Sequence, residues 1–83
     1  MYLNQVVIEG TWTVDEGYNI FIVIEEEIKT GIVKEIKIPI IVPVSQWDVA
    51  KKLKTGDTAK ITGYLDRWVN SNIVVIAEHL ERI

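Results

Sequence analysis

Every second residue from position 36 to position 44 is a β-branched aliphatic residue. These positions hold Ile36, Ile38, Ile40, Val42 and Val44. Because successive side chains of a strand point to opposite faces, this period of two predicts a β-strand with one apolar face, here over residues 32–44. Pro39 and Pro43 occupy the other face. Proline has no N–H to donate to a ladder, so we expect the strand to lie at an edge or to be bulged there.

Similar alternation predicts four more strands, at residues 3–13, 20–28, 58–68 and 73–83. Gly10 lies inside the first of these and predicts a bend, as a barrel requires where one strand serves both ends of a curled sheet. Turns are expected at residues 14–19, 29–31 and 70–72, where small and polar residues cluster. Gly31 is expected to supply a positive φ in the second turn.

The helix signal in this chain lies between the third and fourth strands. Ser45 followed by Asp48 predicts a helix N-terminus with a capping box. The apolar side of this helix is formed by Val49, Ala50 and Leu53. Three lysines are expected in its last turn, where the helix dipole favours cations: Lys51, Lys52 and Lys54. Gly56 is predicted to end the helix.

The predicted order is three strands, one short helix and two strands. Five strands with a lone helix between the third and fourth is the connectivity of the oligonucleotide/oligosaccharide-binding (OB) barrel. A five-stranded SH3-like barrel is the main alternative, but its helix usually sits elsewhere. A chain of 83 residues has room for one core, so we predict a single all-β OB-fold domain over residues 1–83.

Composition argues against several kinds of site. The chain has no cysteine and one histidine, His79, so we expect no disulfide and no Cys/His metal site. We find no Ser-His-Asp set and no glycine-rich phosphate loop, and we expect neither an enzyme nor a cofactor. The N-terminus does not read as a signal peptide and no apolar run reaches membrane-spanning length. These features favour a soluble cytoplasmic protein with no membrane partner.

The net charge of −3 counts against a simple phosphate-binding surface, because Lys and Arg drive such binding. It does not exclude such a surface, because phosphate binding depends on the charge of the binding face and not on the net charge of the chain. The acidic surplus is concentrated in the Glu25-Glu26-Glu27 run and the Asp15-Glu16 turn. We interpret the run as a solvated hairpin end.

Four segments together carry a family likeness. The first, at residues 6–16, is an apolar run that ends in Gly-Thr-Trp-Thr before an acidic turn, and the second, at residues 50–57, is a helix end with Lys-Thr-Gly-Asp. The third is the pattern Ala-Lys-Ile-Thr-Gly-Tyr-Leu at residues 59–65, and the fourth is a closing strand, Val-Ile-Ala-Glu-His-Leu, at residues 75–80. Their order and spacing resemble the bacterial single-stranded DNA-binding protein family over nearly the whole chain. The resemblance implies an OB fold, binding of single-stranded DNA, and dimers in which the first strands pair, which would here use Gln5, Val7, Glu9 and Thr11.

The chain departs from that family at three points. Thr11 stands where the family usually has Arg, and Trp12 stands at its Leu. The loop between the second and third strands is short. The sequence stops at Ile83 without the family's acidic tail, so we expect no recruitment of partners through such a tail. In this trimmed form the chain is similar to primosomal replication proteins of the same fold.

Single-strand binders combine cations with aromatic faces on which bases stack. The candidate binding residues are Phe21, Lys34, Lys37, Lys60, Tyr64, Arg67 and Trp68. Tyr64 and Trp68 have the outward parity of their strand, although a subunit interface would also use them. Phe21 opposes the stripe of Ile20, Ile22 and Ile24, and a core position is about as consistent with its pattern. Trp12 is predicted to lie in the core. For Tyr18 and Trp47 the sequence leaves two alternatives, an exposed ring that stacks on a base or a ring that packs on the barrel.

We therefore expect a single-stranded DNA-binding protein that holds the strand by base stacking and backbone contacts, without strong sequence preference. We expect it to act as a homo-oligomer, a dimer or a tetramer, which would also cover an exposed strand edge. The alternative is an OB-fold protein-interaction or replication-accessory module with weak or no nucleic-acid binding. An RNA-binding protein of the cold-shock type is a third reading, disfavoured because strands two and three lack interleaved aromatic and basic residues.

Overall fold

A computed structural model of the chain describes residues 4–29, 31–68 and 72–83. It contains the strands β1 (Val6–Val14), β2 (Ile20–Lys29), β3 (Ile32–Ile41), β4 (Thr58–Arg67) and β5 (Ile73–Arg82). A 3₁₀ turn (Val44–Gln46) and the short helix α1 (Trp47–Ala50) separate β3 from β4. The strands close into a barrel in the order β1-β2-β3-β5-β4. The predicted five-stranded OB barrel with its helix between the third and fourth strands is therefore confirmed.

The barrel closes through β1, which pairs with two neighbours. Its residues from Val6 to Thr11 pair with β4, and those from Thr11 to Val14 pair with β2, both antiparallel. Gly10 lies at this changeover, where a Cβ would meet Ile22 Cγ2 and the Val23 carbonyl oxygen, each at 2.6 Å. As predicted from Gly10, the first strand, β1, serves both ends of the curled sheet.

The core fills the inside of the barrel with alternate residues of the strands. Its buried members are Trp12, Ile22, Ile40, Leu53, Ala59, Ile61, Val75, Ala77 and Leu80. Trp12 is 1% exposed, which confirms the core position predicted for it. Leu53 is buried after α1, and Val49 and Ala50 pack against the same cluster, so the predicted apolar side of the helical segment is confirmed. This segment covers one end of the barrel.

The helical segment is shorter than predicted, and β3 ends at Ile41 instead of residue 44. Pro43 explains both differences, since it cannot donate to a ladder and its φ of −66° suits entry into a helical turn. The predicted capping box is wrong: Ser45 lies inside the 3₁₀ turn, and the N-cap residues Pro43 and Gln46 make no side-chain cap hydrogen bond.

The predicted end of the helix is also wrong. Because α1 ends at Ala50, Lys51, Lys52 and Lys54 follow the helix and do not lie in its last turn. Gly56, with φ of 104°, belongs to a separate turn into β4. In that turn the Asp57 N–H donates to the Lys54 carbonyl, and the Lys54 N–H donates to Asp57 Oδ2, each at 2.9 Å.

β2 and β3 extend beyond the barrel as a two-stranded arm made of residues 25–29 and 31–35. Glu25, Glu26 and Glu27 are exposed on it, which confirms the predicted solvated hairpin end. Gly31 has the predicted positive φ, 84°. β3 pairs with β5 only at Ile40 and Ile41, directly after Pro39, so the edge position predicted from that proline is confirmed.

The remaining boundaries shift by a few residues. β1 runs from Val6 to Val14 and β2 to Lys29, while β4 ends at Arg67 and β5 at Arg82. The predicted turn at residues 70–72 lies outside the described residues except for Asn72, whose carbonyl accepts the Trp68 N–H at 2.9 Å. Within the described ranges, the structure has no helix long and apolar enough to cross a membrane.

Replacing Gly10 by Ala tests how strongly barrel closure depends on the contact between β1 and β2. The added methyl group meets a backbone oxygen, which cannot move aside as a side-chain end can, so we expect a loss of about 1–3 kcal/mol in unfolding free energy. Thr11→Ala, on the exposed face of the same strand, is the control and should stay within about 0.5 kcal/mol of the parent. Urea unfolding measures both. Equal effects of the two changes would contradict this account.

Candidate functional site

The outer surface of the barrel carries a row of apolar and aromatic side chains across four strands. Phe21 on β2 lies opposite Pro39 on β3. Two residues further along β3, Ile41 lies beside Ile76 on β5, which in turn lies opposite Tyr64 on β4. Phe21, Pro39, Ile41 and Ile76 alternate with residues that belong to the core or pack against it, so the row faces outward, although neighbours cover Ile76 to 9% exposure. The structure therefore places Phe21 on the outer face, half-buried, and not in the core.

A groove of about 790 Å³ opens where this face meets the end of the barrel. It is bounded by the loop between β1 and β2, the end of β3, the helical segment and the β4–β5 hairpin. The aromatic side chains around it are Trp12, Tyr18, Phe21, Trp47 and Trp68. Trp12 is its buried floor, and Trp47 and Trp68 keep 49% and 45% of their surface exposed. The groove thus offers several aromatic faces within one concave surface.

A carboxylate organises the loop that presents Tyr18 to this groove. Asp15 Oδ1 accepts the N–H groups of Gly17 and Asn19, each at 2.9 Å, and Asp15 Oδ2 accepts the side-chain amide of Asn19 at 3.2 Å. Tyr18 has a φ of 60°, a conformation that costs an L-residue on the order of 1 kcal/mol. The carboxylate holds this strained turn together, and Tyr18 remains 87% exposed.

The same hydrogen bonds act on the ionisation of the loop. The backbone hydrogen bond from Asn19 is the main reason that the pKa of Asp15 lies below its ordinary value of 3.8. Lys37, on the outer face of β3, adds a smaller electrostatic contribution in the same direction to the pKa of Asp15. Lys37 is exposed and lies opposite Val23, two pairs along the ladder from the Phe21–Pro39 pair.

The other candidate residues do not line the groove. Lys34 is on the arm, opposite Glu26. Lys60 is placed between Glu9 on β1 and Glu81 on β5, on the far side of the barrel wall. Arg67 is exposed at the end of β4, and Tyr64 is half-buried on the outer face beyond Ile76. Of the predicted set, Phe21 and Trp68 line the groove. Lys37 does not line it but lies two residues before the groove-lining Pro39, on the same face of β3.

Sequence reasoning missed part of the groove lining. Tyr18 and Trp47 were open in the sequence analysis, and Lys51 was assigned to the helix end, yet all three line the groove. The spacing of Trp47 and Lys51 was a usable signal, because residues four apart in a helical turn share one side. In the residues that the structure describes, no three His, Cys, Asp or Glu side chains are grouped so as to hold a metal ion.

No family model and no curated protein matches this sequence. Solved structures nevertheless share its fold. The protein priB from Ralstonia solanacearum has a TM-score of 0.70 at 14% identity, over 99% of this chain and 100% of that chain. The mitochondrial single-stranded DNA-binding protein Rim1 from S. cerevisiae has a TM-score of 0.58 at 10% identity, over 100% of this chain and 96% of that chain.

A third similar structure is the S. pombe Stn1–Ten1 complex, with a TM-score of 0.58 at 14% identity, over 98% of this chain and 59% of that chain. At such low identities the likeness establishes a shared fold. It confirms the OB fold that the resemblance to the single-stranded DNA-binding protein family implies.

Substituting Asp15 by Asn tests the role of its charge in the loop. Since the pKa of Asp15 is lowered on folding, its carboxylate stabilises the folded state above pH 3.8, and this contribution is lost as the pH falls through the lowered pKa. Asp15→Asn should therefore lower the melting temperature at neutral pH, and the difference from the parent should close in acid. Thermal unfolding across pH measures this difference. A difference that does not change with pH would show that the charge does not organise the loop.

Proposed function

We propose that this protein binds single-stranded DNA by stacking bases on the outer-face aromatic residues of its OB barrel. The observation that carries the proposal is the groove that Phe21 and Trp68 both line. Lys37 lies near its edge, two residues before the groove-lining Pro39 on the same face of β3. The shared fold with a protein described as single-stranded DNA-binding supports it. The proposed function is binding of DNA without catalysis.

Stacking suits the chemistry of this groove. Its lining is mostly apolar, and stacking of a base on an aromatic ring contributes about 1–3 kcal/mol whatever the base is. Every base has such a face, so a site of this kind holds a strand without strong sequence preference. RNA bases present the same faces, and a comparison of oligothymidylate with oligouridylate measures the preference.

Self-association is the second part of the proposal. With a net charge of −3, one chain offers few cations to a phosphate backbone, and a second copy would multiply them along one path. β1 supports this arrangement: between Val6 and Gly10 it pairs with β4, while its pairs with β2 start at Thr11. Among the described residues, the other edge of that stretch is therefore unpaired and can take a second β1.

The arm favours a second candidate function, that of a protein-interaction module. Its exposed side chains include Ile28, Ile32 and Val33, each more than half exposed, beside Glu25, Glu26 and Glu27. The carboxylates of the arm repel phosphate, whereas its exposed apolar side chains suit contact with another protein. Titration of the protein with labelled oligothymidylate distinguishes the two functions, since an interaction module without DNA binding gives no signal.

Trp68→Ala and Phe21→Ala test DNA binding directly. Each change should weaken the affinity for fluorescein-labelled oligothymidylate by about 5- to 150-fold, the range of one lost stack. Lys37→Ala should lower the slope of log affinity against log salt by about 0.7, the value for one phosphate contact of a single strand. Lys60→Ala is the matched control, since Lys60 lies between two carboxylates on the other side.

An equal effect of Lys60→Ala and Lys37→Ala would place the strand on a different face. No binding by the folded parent protein at low salt would overturn the proposal and leave the interaction module. In that case Tyr64→Ala and Trp68→Ala should break self-association in light scattering.

Val7→Glu tests the β1 interface. Val7 is 56% exposed on the stretch of β1 whose edge is unpaired, so two copies meeting there would bring like charges together. We expect light scattering to give the mass of a monomer for this variant and a multiple of it for the parent. Val44→Glu is the control, because Val44 is 72% exposed at the other end of the barrel. A parent protein that is itself monomeric at micromolar concentration would contradict the interface.

A further inference from the structure

One wall of the groove belongs to the helical segment and not to the sheet. It is formed by Trp47, the first residue of α1, and Lys51, the first residue after α1. We propose that this wall is a second nucleotide-binding element, in which Trp47 stacks on a base and Lys51 contacts the neighbouring phosphate. The inference rests on the proposed function and adds a binding element that lies outside the sheet.

The contacts of Trp47 limit what its indole can do. Its Nε1–H donates to the Val42 carbonyl oxygen at 3.0 Å, so the polar edge of the ring is already satisfied within the protein. The hydrogen bond also fixes the ring relative to the end of β3. About half of the side chain, 49%, remains exposed and lines the groove. A fixed ring with a free face and no free donor can stack on a base but cannot select one by hydrogen bonding.

A purely structural role explains Trp47 less well. The barrel end beneath the helical segment is sealed by Leu53, which is 7% exposed, with Val49 and Ala50 packed on the core. Trp47 is not part of that cluster. Half of the largest side chain in the segment is thus left in water beside a concave surface, which a role in sealing the core does not require.

Lys51 supplies the charge beside this ring. Its N–H donates to the Trp47 carbonyl at 2.9 Å, which places the two residues one helical turn apart on the same side. Lys51 is exposed and lines the groove, and it forms no ion pair with any described residue. Lys52 is exposed too but does not line the groove. Lys51 is therefore a cation placed next to an aromatic face and free to meet a phosphate.

The consequence is a longer path for the strand. Bases on Phe21 and Trp68 occupy the sheet side of the groove, and a further base on Trp47 would carry the strand over the end of the barrel toward α1. Trp68 and Trp47 line the same groove, so the two stacks belong to one continuous site.

Fluorescence of a single exposed tryptophan tests whether a base meets Trp47. Of the three tryptophans, Trp12 is 1% exposed, so Trp68→Phe leaves Trp47 as the exposed one. We expect oligothymidylate to quench the emission of Trp68→Phe. The double variant Trp47→Phe, Trp68→Phe reports Trp12 alone and gives the baseline. Quenching equal to this baseline, with binding intact by the fluorescein signal, would overturn the inference.

Affinities of matched variants test the energetic role of the wall. Trp47→Ala should weaken oligothymidylate binding by about 5- to 150-fold, while Trp47→Phe, which keeps a ring but loses the bond to Val42, should recover most of that loss. Val44→Ala is the control for an exposed apolar side chain of the same segment. Lys51→Ala should lower the salt slope by about 0.7 and Lys52→Ala should not.

The outcomes separate this inference from the proposed function. Binding that Trp68→Ala weakens but that Trp47→Ala and Lys51→Ala leave unchanged would overturn the helical wall alone. Equal losses in Trp47→Ala and Trp47→Phe, together with a lower melting temperature, would show that the Val42 hydrogen bond matters and not the ring face, and would also overturn it. Absence of binding by the parent would overturn the proposed function itself.

Discussion

The close approach of β1 to β2 at Gly10 is the constraint on which the rest of the structure depends. With no side chain at this position, β1 can cross from β2 to β4, and the five strands close into a ring. Closure places Trp12, Ile22 and Ile61 inside one core and leaves the alternate residues outside. The same crossing opens an edge of β1 between Val6 and Gly10. One steric contact thus relates the core, the outer face and the surface proposed for self-association.

The groove follows from how β3 ends. Pro43 stops the strand and starts a 3₁₀ turn, so the chain folds across the end of the barrel directly after Ile41. This turn brings Trp47 beside the outer face, where its indole bonds to the Val42 carbonyl. The loop held by Asp15 meets the groove from the opposite side. A sheet face alone would be flat, and the two flanking segments make it concave.

Local patterns predicted the strands well and the site only in part. Alternation correctly placed Tyr64 on the outer face of β4, because parity is a property of one strand. The core position of Trp12 was predicted from the resemblance to the single-stranded DNA-binding protein family. Alternation left Phe21 undecided, since its burial depends on which face the other strands cover. The surroundings of Lys60 come from Glu9 and Glu81, which lie far away in the chain and meet it only through the register of β1, β4 and β5. The capping box failed because Pro43 begins the turn before Ser45.

The placement of charge limits how the groove would bind a strand, as proposed, in a protein of net charge −3. Lys34 lies opposite Glu26, Lys60 lies between two glutamates, and Arg82 Nε lies 3.9 Å from Asp57 Oδ2. Carboxylates therefore offset much of the positive charge close to where it arises, and the phosphate contribution of one chain is small. Carboxylates do not reduce the stacking contribution of the aromatic rings in this way. Under the proposed function, stacking would therefore supply most of the affinity, and Lys37 and Lys51 would set the path of the backbone.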